Sequence, residues 1–130
     1  MKKVFGFFCF AQFLLFSSQL MAQGLPAPSY WKNERGSELF IWSSDGGAFQ
    51  GIFTNHAVGF ECQGIPYPAS GAAGPKGLYF VVTFAKCNTV TRWIGNTNGS
   101  QMPTRWKLFY VDTNGNPSQL TGADTFMRIW

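Results

Sequence analysis

An amide and a hydroxyl, those of Asn33 and Ser37, lie close together in the sequence beside a turn-forming glycine. Side chains alternate between the two faces of a strand, so Trp31 and Asn33 share a face if residues 31–33 are extended. Gly36 permits a tight turn that would begin a second strand with Ser37 beside Asn33. An inward-facing amide and hydroxyl are costly unless they are hydrogen-bonded, which indicates a site for a small polar ligand. The alternative is a strand–turn–strand unit whose polar groups face water.

Further candidate binding side chains fall on the predicted inward faces of later strands. Phe84, Trp93 and Trp106 offer flat apolar walls suited to a small ring system. Taken one at a time, the aromatic residues are explained as barrel core and the threonines as strand formers. Taken as a set on one inner surface, they favour a ligand pocket. The polar members of this set are Asn33, Ser37, Asn55, Thr89, Thr91 and Asp124.

The chain offers little material for catalysis. His56 is the single histidine and falls in a predicted loop, so no Ser/His/Asp or Cys/His set is apparent. An acid pair for glycoside hydrolysis stays open, but most acidic residues fall at turns or strand starts. The sequence therefore favours a binding protein over an enzyme, with no cofactor and no metal site.

The first residues have the features of a secretory signal peptide. Lys2 and Lys3 precede an apolar run at residues 4–16, and small residues lead to a cleavage site after Ala22. The run is too short to span a membrane. We predict a signal peptide at residues 1–22, and one secreted or periplasmic domain at residues 23–130.

The charge is modest and evenly spread. The formal net charge of +4 includes Lys2 and Lys3, and the remaining basic residues stand singly along the chain. Neither a nucleic acid nor a membrane surface is a predicted partner, because both bind clustered basic residues.

Two of the three cysteines remain after removal of the signal peptide, which contains Cys9. An even count in an oxidising compartment favours a disulfide between Cys62 and Cys87. A metal pair would need more ligands and a redox pair would normally form Cys-x-x-Cys, and neither pattern is present.

Turn signals separate short apolar strands along the whole chain, and helix signals are nearly absent. Asp-Gly-Gly at residues 45–47 is typical of a hairpin, and Asn-Gly recurs at 98–99 and 114–115. Residues 56–77 read as a loose segment with a short strand at 67–73, and the last strand is expected from about 124 to 130. The pattern predicts an all-β, eight-stranded antiparallel up-and-down β-barrel, which closes on itself and exposes no sheet edge. A β-sandwich is the alternative.

Five motifs, in this order and spacing, resemble those of the avidin and streptavidin family of biotin-binding proteins. Each motif is weak alone, but together they span nearly all of residues 23–130. The resemblance implies an avidin-like barrel that binds biotin at its open end, non-covalently and with high affinity. The motifs are Trp31-x-Asn33-x-x-Gly36-Ser37, Gly51-Ile52-Phe53, Thr89-Val90-Thr91-x-Trp93-x-Gly95, Arg105-Trp106-Lys107-Leu108 and Asp124-Thr125-Phe126.

The resemblance also implies a role for each site residue. Asn33 and Ser37 would donate hydrogen bonds to the ureido oxygen, and Asn55 and Asp124 would each accept one from a ureido N–H. Thr91 would lie beside the thioether sulfur. The groups near the carboxylate would be the Thr89 side chain and the backbone of Ala57, Val58 and Gly59. The side chains enclosing the rings and the chain of biotin would be Phe84, Trp93, Trp106 and Leu108.

The chain departs from the family pattern at two residues. Phe53 stands where the family usually has a tyrosine that donates to the ureido oxygen, and losing that donor costs about 1–3 kcal/mol if nothing replaces it. Arg35 stands where the family often has an apolar or small residue.

A third departure concerns the oligomer. Residues 112–123 contain no counterpart of the tryptophan that tetrameric members lend to a neighbouring subunit as a lid. The Cys62/Cys87 pair resembles that of the rhizavidin-like bacterial dimeric avidins, in which the disulfide stiffens the loop over biotin and so reduces the ordering cost of binding. The resemblance therefore implies a homodimer.

Two other secreted barrel functions stay open. A lipocalin-like carrier of an apolar ligand would lack the converging Asn33, Ser37, Asn55 and Asp124. A periplasmic protease inhibitor would act through an exposed segment at residues 23–30 and would leave the barrel interior without a ligand.

Overall fold

The structure, a computed structural model, describes residues 24–130. The predicted signal peptide at residues 1–22 lies outside the described residues. Within the described part, no helix is long and apolar enough to cross a membrane. A short 3-10 helix, Ala85–Cys87, follows the fifth of the strands. The strands are β1 (Ser29–Asn33), β2 (Glu38–Asp45), β3 (Ala48–Thr54), β4 (Pro66–Gly74), β5 (Gly77–Phe84), β6 (Thr89–Gly95), β7 (Gln101–Val111) and β8 (Pro117–Arg128).

The strands form a closed antiparallel barrel in which each strand pairs with the next along the chain. The barrel closes where β8 pairs with β1, with Asn33 opposite Phe126 and Trp31 opposite Arg128. The predicted all-β up-and-down barrel is confirmed, and the sandwich alternative is wrong. Closure pairs the backbone groups that an open sheet would leave exposed along its edges.

Aromatic side chains fill the barrel interior. Phe80 stacks on Trp93 with ring centroids 4.6 Å apart and an interplanar angle of 9°. Phe53 packs against the same indole at 4.8 Å. Gly71 on β4 lets the backbone of β5 approach closely beside this cluster, because a Cβ there would overlap the Tyr79 carbonyl oxygen and lie 2.7 Å from the Cβ of Phe80. These large rings occupy the inward positions that strand alternation assigns to them.

The last strand starts earlier than the sequence predicts. β8 begins at Pro117, opposite Val111, and not near Asp124. The preceding turn is compact, because the Oδ1 of Asp112 accepts hydrogen bonds from the backbone N–H of Asn114 and Asn116, each at 2.9 Å. The chain therefore returns at once to pair with β7, although residues 117–122 are mostly polar or small. The short strand expected at residues 67–73 is observed as β4, Pro66–Gly74, one residue longer at each end.

Candidate ligand-binding site

A cavity opens at the end of the barrel where the β1–β2, β3–β4 and β5–β6 connections meet. Most of the binding residues predicted from the sequence line this cavity. They come from six strands and two loops. The predicted residues on its walls are Asn33, Ser37, Phe53, Asn55, Ala57, Phe84, Thr91, Trp93, Trp106, Leu108 and Asp124.

Three predicted residues lie outside this cavity. Gly59 and Thr89 line an adjoining cavity that also borders the Cys62 and Cys87 positions. The side chain of Val58 is 91% exposed. The two cavities share several lining residues, so the second continues outward from the first. The role of these three residues near a ligand carboxylate stays a prediction.

Two lining residues were absent from the predicted set. Arg35 stood out in the sequence as a departure from the family pattern but was not assigned to the site. Phe60 belongs to the loose, glycine- and proline-rich segment before β4, where no periodicity indicates which way a side chain points. Both reach the cavity from loops, and only the paths of those loops place them there.

The Asn33 side chain is oriented by its own turn. Its Oδ1 accepts hydrogen bonds from the backbone N–H of Arg35 at 3.0 Å and of Ser37 at 2.9 Å. Gly36 supports this tight turn with a φ of 82°, a left-handed conformation that glycine adopts without strain. Because both lone pairs of the carbonyl are used by the backbone, the amide NH2 is the group left to donate to a ligand.

Ser37 links the two loops at the cavity mouth. Its Oγ accepts a hydrogen bond from the backbone N–H of His56 at 2.9 Å and donates one to the Oδ1 of Asn55 at 3.1 Å. The same Asn55 oxygen accepts from the backbone N–H of Ala57 at 2.9 Å. The hydroxyl proton can be turned from Asn55 to a ligand oxygen, and that rotation frees one lone pair on Asn55.

Asp124 is a buried carboxylate with one oxygen open. Asp124 is 6% exposed, and its Oδ2 accepts a hydrogen bond from the Trp93 indole N–H at 3.2 Å. Its Oδ1 has no hydrogen-bond partner among the described residues. Burial raises the pKa of Asp124 above its ordinary value, while the Trp93 hydrogen bond and the positive charge of Arg35 oppose that rise. An unpaired carboxylate oxygen in an apolar cavity is a strong acceptor for a ligand N–H.

The predicted Cys62–Cys87 disulfide is confirmed. It joins residues 25 positions apart, with Cα atoms separated by 6.1 Å, and ties the β3–β4 loop to the 3-10 turn after β5. The loop is also anchored by a hydrogen bond from the backbone N–H of Gly64 to the Asn55 carbonyl at 2.7 Å. Phe60 therefore reaches the cavity from a segment that is fastened at both ends.

The walls of the cavity combine apolar rings with hydrogen-bonding groups, and the described residues that line it include no paired nucleophile and base. His56 lies 3.8 Å from Glu38, and neither residue lines the cavity. Across residues 24–130, no three His, Cys, Asp or Glu side chains are grouped as metal ligands would be. The arrangement is suited to holding a neutral ring compound through oriented hydrogen bonds.

Comparison with known proteins agrees with this geometry. Residues 21–129 match the sequence model of the Avidin family. Afifavidin from Afifella pfennigii is 37% identical over 117 residues, which cover 83% of this chain and 73% of that protein. Hoefavidin from Hoeflea phototrophica is 32% identical over 120 residues, covering 80% and 73%.

Solved structures resemble the chain over the whole barrel. The bradavidin2–biotin complex is 70% identical with a TM-score of 0.79, and the match covers 82% of this chain and 100% of that one. The rhizavidin–biotin complex is 32% identical with a TM-score of 0.73, covering 81% and 93%. By its sequence match and its relatives, the chain belongs to the avidin family.

Proposed function

We propose that this protein binds biotin non-covalently and with high affinity in the cavity at the open end of its barrel. The observation that carries the proposal is the Asp124 carboxylate, which is buried on the cavity wall with no hydrogen-bond partner for Oδ1 within residues 24–130. A buried ionised oxygen is costly unless a hydrogen-bond donor contacts it. The N–H of a cyclic urea is such a donor. The bradavidin2 and rhizavidin structures that resemble this chain are complexes with biotin.

The polar end of the cavity suits a ureido group. The Asn33 amide and the Ser37 hydroxyl donate to the ureido oxygen, and the Ser37 proton leaves Asn55 to do so. Asn55 Oδ1 then has a lone pair for one ureido N–H, and Asp124 Oδ1 accepts the other. Because each group is held by hydrogen bonds to the fold, little reorganisation is needed on binding.

The apolar walls suit the remainder of the molecule. Phe84, Trp93, Trp106 and Leu108 enclose the fused rings and the hydrocarbon chain, and Thr91 lies beside the sulfur. The carboxylate of biotin points toward the adjoining cavity, where it contacts Thr89 and the backbone of residues 57–59. The disulfide-tied loop carrying Phe60 covers the mouth and reduces the entropy lost on binding.

The two alternative barrel functions have less support. A carrier of apolar ligands has no need for a buried carboxylate and an oriented amide on one wall. A protease inhibitor needs its N-terminal segment free, yet Leu25 is only 3% exposed and Ser29 is fully buried. Ser29 Oγ also donates to the Pro26 carbonyl at 2.6 Å, so the segment is part of the barrel packing.

We also infer that the protein is secreted or periplasmic after cleavage behind Ala22, and that it forms a homodimer. The basic and apolar start of the sequence supports the first inference. The second is supported by the missing tryptophan in residues 112–123 and by the likeness to rhizavidin. Mass measurement of the exported protein checks the cleavage site. Sedimentation at micromolar concentration checks the oligomer, and a monomer or tetramer would contradict it.

The central experiment is calorimetric titration of the oxidised protein with biotin, with displacement of a weaker ligand where binding is too tight to fit. Pentanoic acid, which has the biotin chain but no ureido ring, is the matched control ligand. We expect one biotin per chain with nanomolar or tighter affinity, and no measurable heat from pentanoic acid. If biotin produces no heat and does not displace the weaker ligand, the proposal fails, and the protein is a barrel of this family that takes a different ligand.

A further inference from the structure

Arg35 reaches the ligand cavity from the β1–β2 loop. Its Nε lies 3.7 Å from the Oδ1 of Asp124, and its Cζ lies 5.8 Å from the centroid of the Trp106 ring. The side chain is 43% exposed, so it spans from solvent to the cavity wall. Arg35 is thus a cation beside the carboxylate oxygen for which the described part of the chain supplies no hydrogen bond.

The position of Arg35 is set by the two residues that precede it. The Oε2 of Glu34 accepts a hydrogen bond from the backbone N–H of Thr125 at 2.8 Å, which fastens the loop to β8. The Oδ1 of Asn33 accepts a hydrogen bond from the backbone N–H of Arg35 itself. With the loop held at both points, the guanidinium lies over Trp106, where a ring face attracts a cation.

The spacing between Arg35 and Asp124 leaves the carboxylate oxygen usable. At 3.7 Å the contact is an ion pair and not a hydrogen bond. Arg35 therefore lowers the electrostatic cost of the buried charge without consuming the lone pairs of Oδ1. Those lone pairs are what a ligand N–H needs.

We propose that Arg35 is a positioning residue of the ligand site: it holds the Asp124 carboxylate ionised, with Oδ1 open to a ligand N–H, before the ligand arrives. This inference rests on the proposed biotin binding and adds a residue that acts through Asp124 and not through a contact with biotin. It also gives a role to the charged residue at a position where the family often has an apolar or small one.

The groups around Asp124 give the direction of the effect. Arg35 and the Trp93 indole favour the ionised carboxyl, whereas burial and the neighbouring Glu34 favour the protonated one. Without Arg35, only Trp93 opposes protonation, so the pKa of Asp124 rises further. A protonated carboxyl is a poorer acceptor. On acidification, protein without Arg35 should therefore lose ligand binding at a higher pH than wild type does.

The first test needs no ligand. Carbon-13 NMR of the aspartate carboxyls follows the titration of Asp124 in the full protein and in three variants. Arg35→Gln removes the charge and keeps most of the stem, Arg35→Lys keeps the charge, and Lys32→Gln removes an equal charge from the exposed face of β1. We expect a higher Asp124 pKa in Arg35→Gln only, with Arg35→Lys close to wild type. Equal values in wild type and Arg35→Gln would overturn the proposal.

The second test measures biotin affinity against pH for the same proteins. We expect Arg35→Gln to lose affinity at a higher pH than wild type, and Arg35→Lys to restore the wild-type profile. A raised Asp124 pKa with an unchanged binding profile would overturn the positioning role. If wild-type protein fails to bind biotin, the proposed function fails, and the NMR titration still decides whether Arg35 keeps Asp124 ionised.

Discussion

Replacing Phe53 with tyrosine is expected to tighten biotin binding. Phe53 is 2% exposed and lines the cavity, with its ring 4.8 Å from Trp93 and close to Phe84 and Phe126. The family resemblance places a tyrosine here as a donor to the ureido oxygen. In the proposed binding mode the remaining donors are the Asn33 amide and the Ser37 hydroxyl, and the hydroxyl must first leave Asn55.

The size of the gain follows from that shortage of donors. A hydrogen bond from the new phenol to a buried ureido oxygen contributes about 1–3 kcal/mol. The dissociation constant should therefore fall by about 5- to 150-fold. Phe53 lines the cavity, so we expect the added hydroxyl to enter it, and the ligand-free stability should change by about 1 kcal/mol or less.

Calorimetry with competition, supported by measurement of the biotin dissociation rate, checks this expectation. Phe109→Tyr makes the same chemical change on the outer face of β7, where the residue is 44% exposed, and should leave affinity unaltered. Thermal unfolding of both ligand-free variants confirms that the fold is intact. An unchanged or weaker affinity in well-folded Phe53→Tyr would refute the placement of the ureido oxygen beside this ring.

Three further substitutions probe the other parts of the site. Asp124→Asn should weaken biotin binding by about 10- to 100-fold. Because burial raises the pKa of this carboxyl, wild-type stability should rise as the pH falls toward that pKa, and urea unfolding of the variant should lack this rise. Phe60→Ala should speed biotin release without lowering the ligand-free melting temperature, and an unchanged release rate would mean that the ring does not cover the ligand. Replacing both Cys62 and Cys87 with serine should lower the free energy of unfolding by about 3–4 kcal/mol, and unchanged urea unfolding would show that the closed loop adds no stability.

The barrel itself could be read from the sequence because its signals are local. Alternating apolar residues assign faces to a strand, and Asp-Gly or Asn-Gly pairs mark the hairpins. The observed β6 and β7 lie on either side of the Asn-Gly pair at residues 98–99. The failure at β8 has the same origin, since residues 117–122 carry little apolar alternation and are recruited by pairing with β7. Gly122 packs directly against Trp106, a constraint that no local pattern reveals.

The sequence by itself determined which chemical groups this protein can bring to a ligand, and the order of the strands that carry them. Only the tertiary structure decided how those groups are poised. It placed Arg35 beside Asp124, directed the Ser37 proton to Asn55, and put Thr89 in the adjoining cavity. It also left Asp124 Oδ1 without a hydrogen-bond partner among the residues that the structure describes. Barrel closure joins Glu34 to Thr125 across 91 positions of chain, and such contacts depend on the closed barrel and not on neighbouring residues.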